Sequence, residues 1–159
     1  MKKISFILLS LILLVTTSCE KDKNDDIRDQ AIGNYQATWK FYVLDNNTLS
    51  YLGSDFDLTE NYLVKKSTTD DSGIDFYVGG DIEFQGNKIE LASNGFAFDI
   101  PSQNYTDSTG TYVMNGYDGL DLDGKKYNGV YYSAEDKIET YITMTMDNVV
   151  YVIQITMVK

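Results

Sequence analysis

The sequence predicts a single all-β domain, an antiparallel barrel or open barrel, with a β-sandwich as the alternative. Three observations carry this. From Asn34 onward apolar side chains tend to recur at every second position, the period of a strand whose side chains alternate between faces. The alternating segments are short and separated by Gly, Asn and Asp clusters. No segment carries a 3.6-residue apolar stripe with caps, so any helix is one or two turns long.

Lys2 and Lys3 form a positive opening, and residues 4–15 form an apolar run broken only by Ser5 and Ser10. A helix needs about 20 apolar residues to cross the hydrocarbon core, so this run reads as a secretory leader and not as a span. Thr16-Thr17-Ser18-Cys19 follows, small polar residues before a lone cysteine. The pattern resembles the lipobox of bacterial lipoproteins, which implies removal of residues 1–18 and lipidation of Cys19. Acylation gives a use to the single cysteine of an exported chain, which has no second thiol for a disulfide. Glu20-Lys21-Asp22-Lys23-Asn24-Asp25-Asp26 has no apolar member and reads as a solvated tether. The organisation is therefore leader 1–18, lipidated Cys19 and acidic tether 19–28, and one β domain over 29–159.

Within the domain, Tyr35, Ala37, Trp39, Phe41 and Val43 share one face of a first strand, and Asp45-Asn46-Asn47 turns the chain. Further strands are predicted over residues 56–65, 74–78, 81–84, 88–91, 96–100, 110–114, 127–133, 138–146 and 149–158. Asp70-Asp71-Ser72-Gly73, Gly79-Gly80, Gln85-Gly86-Asn87, Ser93-Asn94-Gly95 and Asn115-Gly116 separate them as turns. Pro101 ends the 96–100 strand, because proline cannot donate to a ladder.

The closing hairpin can be written residue by residue. Asp147-Asn148 is a two-residue turn of the primed kind. It sets Met146 opposite Val149, Met144 opposite Tyr151, Ile142 opposite Ile153, Thr140 opposite Ile155 and Ile138 opposite Met157. That face is apolar at nine of ten positions. At roughly 1.5–3 kcal/mol for each fully buried large apolar side chain, it contributes on the order of 10–20 kcal/mol before chain entropy is subtracted. A one-residue slip exposes it, so turn and pattern specify the same register.

Ile32-Gly33-Asn34-Tyr35 at the head of the first strand looks like the Gly-x-Trp/Tyr opening of lipocalin-like (calycin-like) domains. The run Phe96-Ala97-Phe98-Asp99-Ile100-Pro101-Ser102-Gln103, followed by a glycine- and tyrosine-rich stretch and late strands, is similar to small outer-membrane lipoproteins grouped near that fold. The resemblance covers most of residues 30–159. It implies a lipocalin-like barrel and a hydrophobic-ligand activity, and it transfers no known site.

Charge and composition narrow the chemistry. The chain has 13 basic and 24 acidic side chains, and the leader removes two lysines and no acids. Nucleic-acid affinity rests on clustered Lys and Arg, so this balance excludes a nucleic-acid partner. With no histidine and with Cys19 committed to lipid, His-dependent triads and His- or thiolate-ligated metal sites are excluded. A carboxylate pair or a Lys or Tyr base remains for catalysis, but no pair stands out, so the chain reads as a non-enzyme without catalytic residues or cofactor. Asp118-Gly119-Leu120-Asp121-Leu122-Asp123-Gly124 invites a calcium reading, yet alignment to an EF-hand loop puts Gly119 at position one and Val130 at position twelve. Asp-Gly steps around a short exposed strand fit better, and no metal site is expected.

Two functional readings follow. In the first, the domain binds a small hydrophobic molecule in a cavity lined by Trp39, Met144 and Tyr151. In the second it is an accessory protein that docks on an envelope complex or a glycan, which an exposed patch at Tyr131 and Tyr132 would favour. In both, the lipid on Cys19 holds it to a membrane. The acid-rich stretch after Cys19 resembles export signals of surface lipoproteins, which implies the outer membrane of a Gram-negative bacterium, facing periplasm or surface.

Overall fold

The computed structural model describes residues 26–92, 94–106, 110–122 and 124–159. The leader, Cys19 and the tether up to residue 25 lie outside the described residues, as does Asp123 of the calcium-like stretch. Among the described residues thirteen strands follow in chain order. They are β1 (Gly33–Asp45), β2 (Thr48–Tyr51), β3 (Leu58–Lys66), β4 (Ile74–Val78), β5 (Asp81–Ala92), β6 (Gly95–Asp99), β7 (Gln103–Thr106), β8 (Thr111–Gly116), β9 (Leu120–Leu122), β10 (Lys125–Tyr127), β11 (Gly129–Tyr132), β12 (Lys137–Met146) and β13 (Val149–Val158). The described helical pieces are single 3-10 turns, Ile27–Gln30 and Ser54–Phe56.

The fold is all-β and antiparallel. β11, β6, β5, β4, β3, β1, β13 and β12 pair in that order, and β11 pairs again with β12, so eight strands close an uneven ring. The β12–β13 register matches the one the sequence predicts at all five core pairs, from Met146 opposite Val149 to Ile138 opposite Met157. β13 continues the alternation into β1, where Trp39 faces Ile155 and Phe41 faces Ile153. Ile138, Ile142, Ile153, Ile155 and Met157 are almost fully buried inside the ring.

The ring forks at β12. Its first half, from Lys137 to Thr140, pairs with β11, whereas Ile142, Thr143 and Met144 pair with β8. Asn128 is the joint: its side-chain oxygen accepts from the Ile100 N–H at 3.0 Å, its amide donates to Asp118 at 2.8 Å, and its carbonyl accepts from the Tyr141 N–H at 2.7 Å. On the far side of the fork β7 approaches β5, bridged by the Gln103 side chain, which accepts from the Gln85 N–H and donates to the Gln85 carbonyl.

Four local expectations are corrected, the first being Asn115-Gly116, which is no turn but the end of β8, paired with Thr143 and Ile142 of β12. Gln85-Gly86-Asn87 is not a turn: β5 runs through it, and the register shifts between Asn87 and Glu90, where Lys88 takes a φ of 50°. Gly86 is there for room, since a Cβ would strike the Phe98 ring, as one at Gly129 on β11 would too. Phe98 can thus lie across the strands flanking its own. The predicted strand at 127–133 is broken at Asn128, whose side chain serves the joint. β2 and β7 were not foreseen: Thr48-Leu49-Ser50-Tyr51 alternates over only four residues, and β7 has one apolar residue.

The base of the ring is capped. The 3-10 turn at Ile27–Gln30 leads into the buried Ala31, whose carbonyl accepts from the Tyr35 hydroxyl at 2.8 Å. The Gln30 carbonyl accepts from Lys159 at 2.9 Å and lies 3.0 Å from the Tyr131 hydroxyl. Lys159 also meets Asp136 and sits 5.5 Å from the centre of the Tyr35 ring. Outside this cap Asp26 pairs with Arg28 and Lys66, and Asp29 with Lys66.

The Arg28 guanidinium hydrogen-bonded to Asp26 holds that carboxyl well below the ordinary carboxylate range, and Lys159 lowers Asp136. A carboxyl whose pKa is lower folded than unfolded adds stability that is present above its unfolded value of about 4 and lost as pH falls through the folded one. Urea unfolding across pH is therefore expected to show stability falling below about pH 4. Asp26→Asn is expected to weaken the fold at pH 7 and flatten that acid limb.

Candidate functional site

The end opposite the cap is open. Two hairpin turns rise there, Asn46-Asn47 with φ of 47° and 63°, and Asp147-Asn148 with φ of 49° and 64°. Paired left-handed residues of this kind make type I′ turns, whose twist matches that of the strands and keeps β1, β12 and β13 long at this rim. The 3-10 turn at Ser54–Phe56 crosses beside them, and the Tyr51 hydroxyl pins the segment by donating to Asp57 at 2.8 Å. That hydrogen bond pushes the Tyr51 pKa up to about 12.

Between these elements lies an apolar cleft of about 280 Å³, lined by Phe41, Leu52, Phe56, Leu58, Met146 and Tyr151. Phe41, Leu58 and Met146 also wall an inner chamber of about 130 Å³, bounded deeper in the ring by Trp39, Met144, Ile153 and Tyr105. Phe56 and Leu58 are 56% and 49% exposed, so the lip of the cleft is itself apolar. Two strongly exposed apolar side chains beside a concave apolar surface cost solvation unless something covers them.

Trp39 and Met144, both buried, stand together in the inner chamber, and Tyr151, half-buried, lines the outer cleft. The three residues singled out from the sequence therefore fall along one connected wall of β1, β12 and β13. Phe41 and Met146 share that wall and follow from the same alternation. Leu52 comes from the segment between β2 and β3, where no period marks it, and Phe56, expected to open the 56–65 strand, sits instead in the 3-10 turn before β3. Tyr105 comes from β7, the strand the sequence hides.

Tyr105 also borders a polar hollow of about 350 Å³ with Asp81, Glu83, Asn104 and Thr106, in the gap between β5 and β7. Apolar chamber and acidic hollow thus meet at one tyrosine. Glu83 and Glu60 both lie near enough to the Tyr62 hydroxyl to raise its pKa, beyond the larger effect of burial.

Other candidate features are taken up by structure. Tyr131 is buried and binds Asp136, and Tyr132 lies half-buried under the Lys137 ammonium, so no exposed tyrosine patch forms there. In the calcium-like stretch, Asp118 accepts from Asn128, and Asp121 accepts from the Gly124 N–H in the turn between β9 and β10. Among the described residues no group of three or more acids converges as a metal site would require.

Tyr62 on β3 is 1% exposed, and neither its hydroxyl nor the Trp39 indole N–H makes a hydrogen bond of good geometry. A buried unmade hydrogen bond costs about 1–3 kcal/mol. Tyr62→Phe, which keeps the ring and removes the hydroxyl, is therefore expected to leave stability unchanged or raise it by about 1 kcal/mol in urea unfolding. No family model, curated protein or solved structure matches this chain.

Proposed function

We propose that this chain is a non-catalytic lipoprotein of the cell envelope, lipid-anchored through Cys19, that binds a small hydrophobic molecule in the apolar cleft at the open end of its ring. The observation that carries the reading is the cleft with its inner chamber: a volume near the lower end of ligand pockets, apolar walls and an exposed apolar lip. A core built only for stability closes over such side chains.

The two ends of the ring support the same reading. Tyr35 in Gly33-Asn34-Tyr35 carries Lys159 against its ring, as lipocalins pack a late basic residue on their first-strand aromatic. This favours the lipocalin-like resemblance and its implied ligand activity. The tether enters at the capped base, where Asp26 is held by Arg28 and Lys66. Seven Cα-to-Cα steps separate Cys19 from Asp26, a reach of at most roughly 25 Å. An outer-membrane anchor at Cys19 therefore keeps the base near the bilayer and turns the open mouth toward the aqueous side. The exposed lip also favours a second reading, in which Phe56 and Leu58 dock on an envelope partner.

Every described contact lies within residues 26–159, so a chain of residues 20–159 keeps them all. Native mass spectrometry of that chain after incubation with an envelope lipid and metabolite extract is expected to show a defined adduct. Replacing Met144 and Tyr151 by Trp fills the site and is expected to remove the adduct. Only bare protein mass, under conditions that preserve a known lipid-carrier complex, contradicts the binding reading. For the anchor, Cys19→Ala in the full chain is expected to abolish acyl labelling and release the protein from the membrane fraction.

A further inference from the structure

The charges of the ring are sorted by end. β4 and β12 run in the direction of β1, since each is separated from it by one antiparallel neighbour, so all three strands arrive at the open end and turn back there. Their turns, 45–48, 78–81 and 146–149, together with the 52–57 crossing, carry Asp45, Asp55, Asp57, Asp81 and Asp147 and not one Lys or Arg. Among the described residues none of these five carboxylates enters an ion pair. At the capped base the reverse holds, where Arg28, Lys66, Lys137 and Lys159 each meet a carboxylate. Negative charge is therefore neutralised at the base and left unpaired at the mouth.

Three of the five carboxylates adjoin the apolar cleft. Asp55 and Asp57 flank Phe56, Asp57 precedes Leu58, and Asp147 follows Met146, all three apolar residues lining the cleft. Adjacent Cα atoms are about 3.8 Å apart, so each carboxylate stands within about 8 Å, one Debye length at physiological salt, of the backbone of a lining residue. Asp55 and Asp147 are exposed, and no cation lines the cleft or the chamber. The acids do not make the site; the cleft does. Apolar, low-dielectric walls beside charges of one sign focus the field on whatever emerges from the mouth. A cationic group held there in water needs no contact and no desolvation to be favoured, and an anionic group is repelled on the same terms.

We propose that the cleft takes a small hydrophobic cation, its apolar body against Phe41, Leu58 and Met146 and its amine or other cationic group left in water at the lip near Asp55, Asp57 and Asp147. Free fatty acids and other amphiphilic anions are disfavoured by the same field. This rests on the reading of the cleft as a binding site and adds the charge of the ligand. The same carboxylates oppose one another across a pair of mouths, so they count against a second copy of this chain as the occupant.

The test sets 4-phenylbutylamine against 4-phenylbutyrate at pH 7, where one is a cation and the other an anion of like size. Each displaces the neutral fluorescent probe N-phenyl-1-naphthylamine from the chain of residues 20–159, and the ratio of their affinities cancels the shared apolar body. At about 10 mM salt the amine is expected to bind at least about tenfold more tightly. At about 1 M salt, where the Debye length is about 3 Å, the two are expected to agree within about twofold. This comparison needs no variant. Asp55→Asn, Asp57→Asn and Asp147→Asn together are expected to cut the low-salt ratio at least about threefold. Asn keeps an acceptor for the Tyr51 hydroxyl at position 57, and Asn46-Asn47 already makes the kind of turn that Asp147-Asn148 makes. The control removes three exposed carboxylates at the base, by Asp29→Asn, Asp71→Asn and Glu135→Gln. These lie about 40 Å away along β1, and the ratio is expected to stay within about twofold of wild type.

A ratio that ignores salt overturns the inference by removing any role for charge. A ratio that the base control lowers as far as the lip substitutions do overturns it by assigning the preference to the net charge of the whole molecule. Either result leaves the cleft as an apolar site. Failure of every probe, the naphthylamine included, overturns the binding reading itself.

Discussion

The rest of the structure depends on the register of the β12–β13 hairpin. A period of two leaves only two settings for a strand, and the Asp147-Asn148 turn selects the one that sends Ile138, Ile142, Met144, Ile153, Ile155 and Met157 inward. β1 then pairs along β13 and brings Tyr35, Ala37, Trp39 and Phe41 to the same interior. The three strands are long and contiguous, so a single register decides what lines the ring from base to rim. It also sets Met144 opposite Tyr151 and Trp39 opposite Ile155, on the same inward alternation.

What leaves one end open and seals the other is the side chains available at each. At the base Tyr35, Tyr131 and Lys159 converge on the carbonyls of Gln30 and Ala31 while Asp136 faces Tyr131 and Lys159, so polar groups find partners and the interior is closed by a turn of the chain's own backbone. Midway, Phe76 and Phe84 stack at 4.3 Å and Phe98 lies against the glycines of neighbouring strands, filling the ring with aromatic volume. Toward the rim this filling stops. β6 ends, the ring forks at Asn128, and the β7–β8 hairpin, paired through Tyr105 and Tyr112, diverges from the ring. The chamber and the acidic hollow are the space this divergence leaves.

The fold was legible where pattern and turn chemistry agreed, and least so where a residue's role was tertiary. The alternation of β1, β12 and β13 and the Asn-Asn and Asp-Asn turns were enough to place Trp39, Met144 and Tyr151 in one wall. Gly86 misled because a glycine between Gln and Asn reads as a turn, whereas its function is to admit the Phe98 ring from another strand. Asn128 gave no local sign of being a joint, since its partners Ile100, Asp118 and Tyr141 are distant in sequence. Leu52 of the cleft and Tyr105 of the chamber sit on segments without period. The Trp39 and Tyr62 donors became visible only once two strands were set side by side. The part Lys159 plays at the base was likewise hidden, because nothing local to it points to Tyr35.

The central claim, an interior sealed at one end and open to apolar molecules at the other, is tested most directly by methyl NMR of the methionines. Met144 and Met146 border the chamber and cleft, Met157 is buried toward the base, and Met114 on β8 pairs with Met144. With these methyl groups carbon-13 labelled, titration with a neutral apolar probe is expected to shift Met144 and Met146 saturably and leave Met157 unmoved. A shift at Met157, or no saturable shift at Met144 and Met146, contradicts the account.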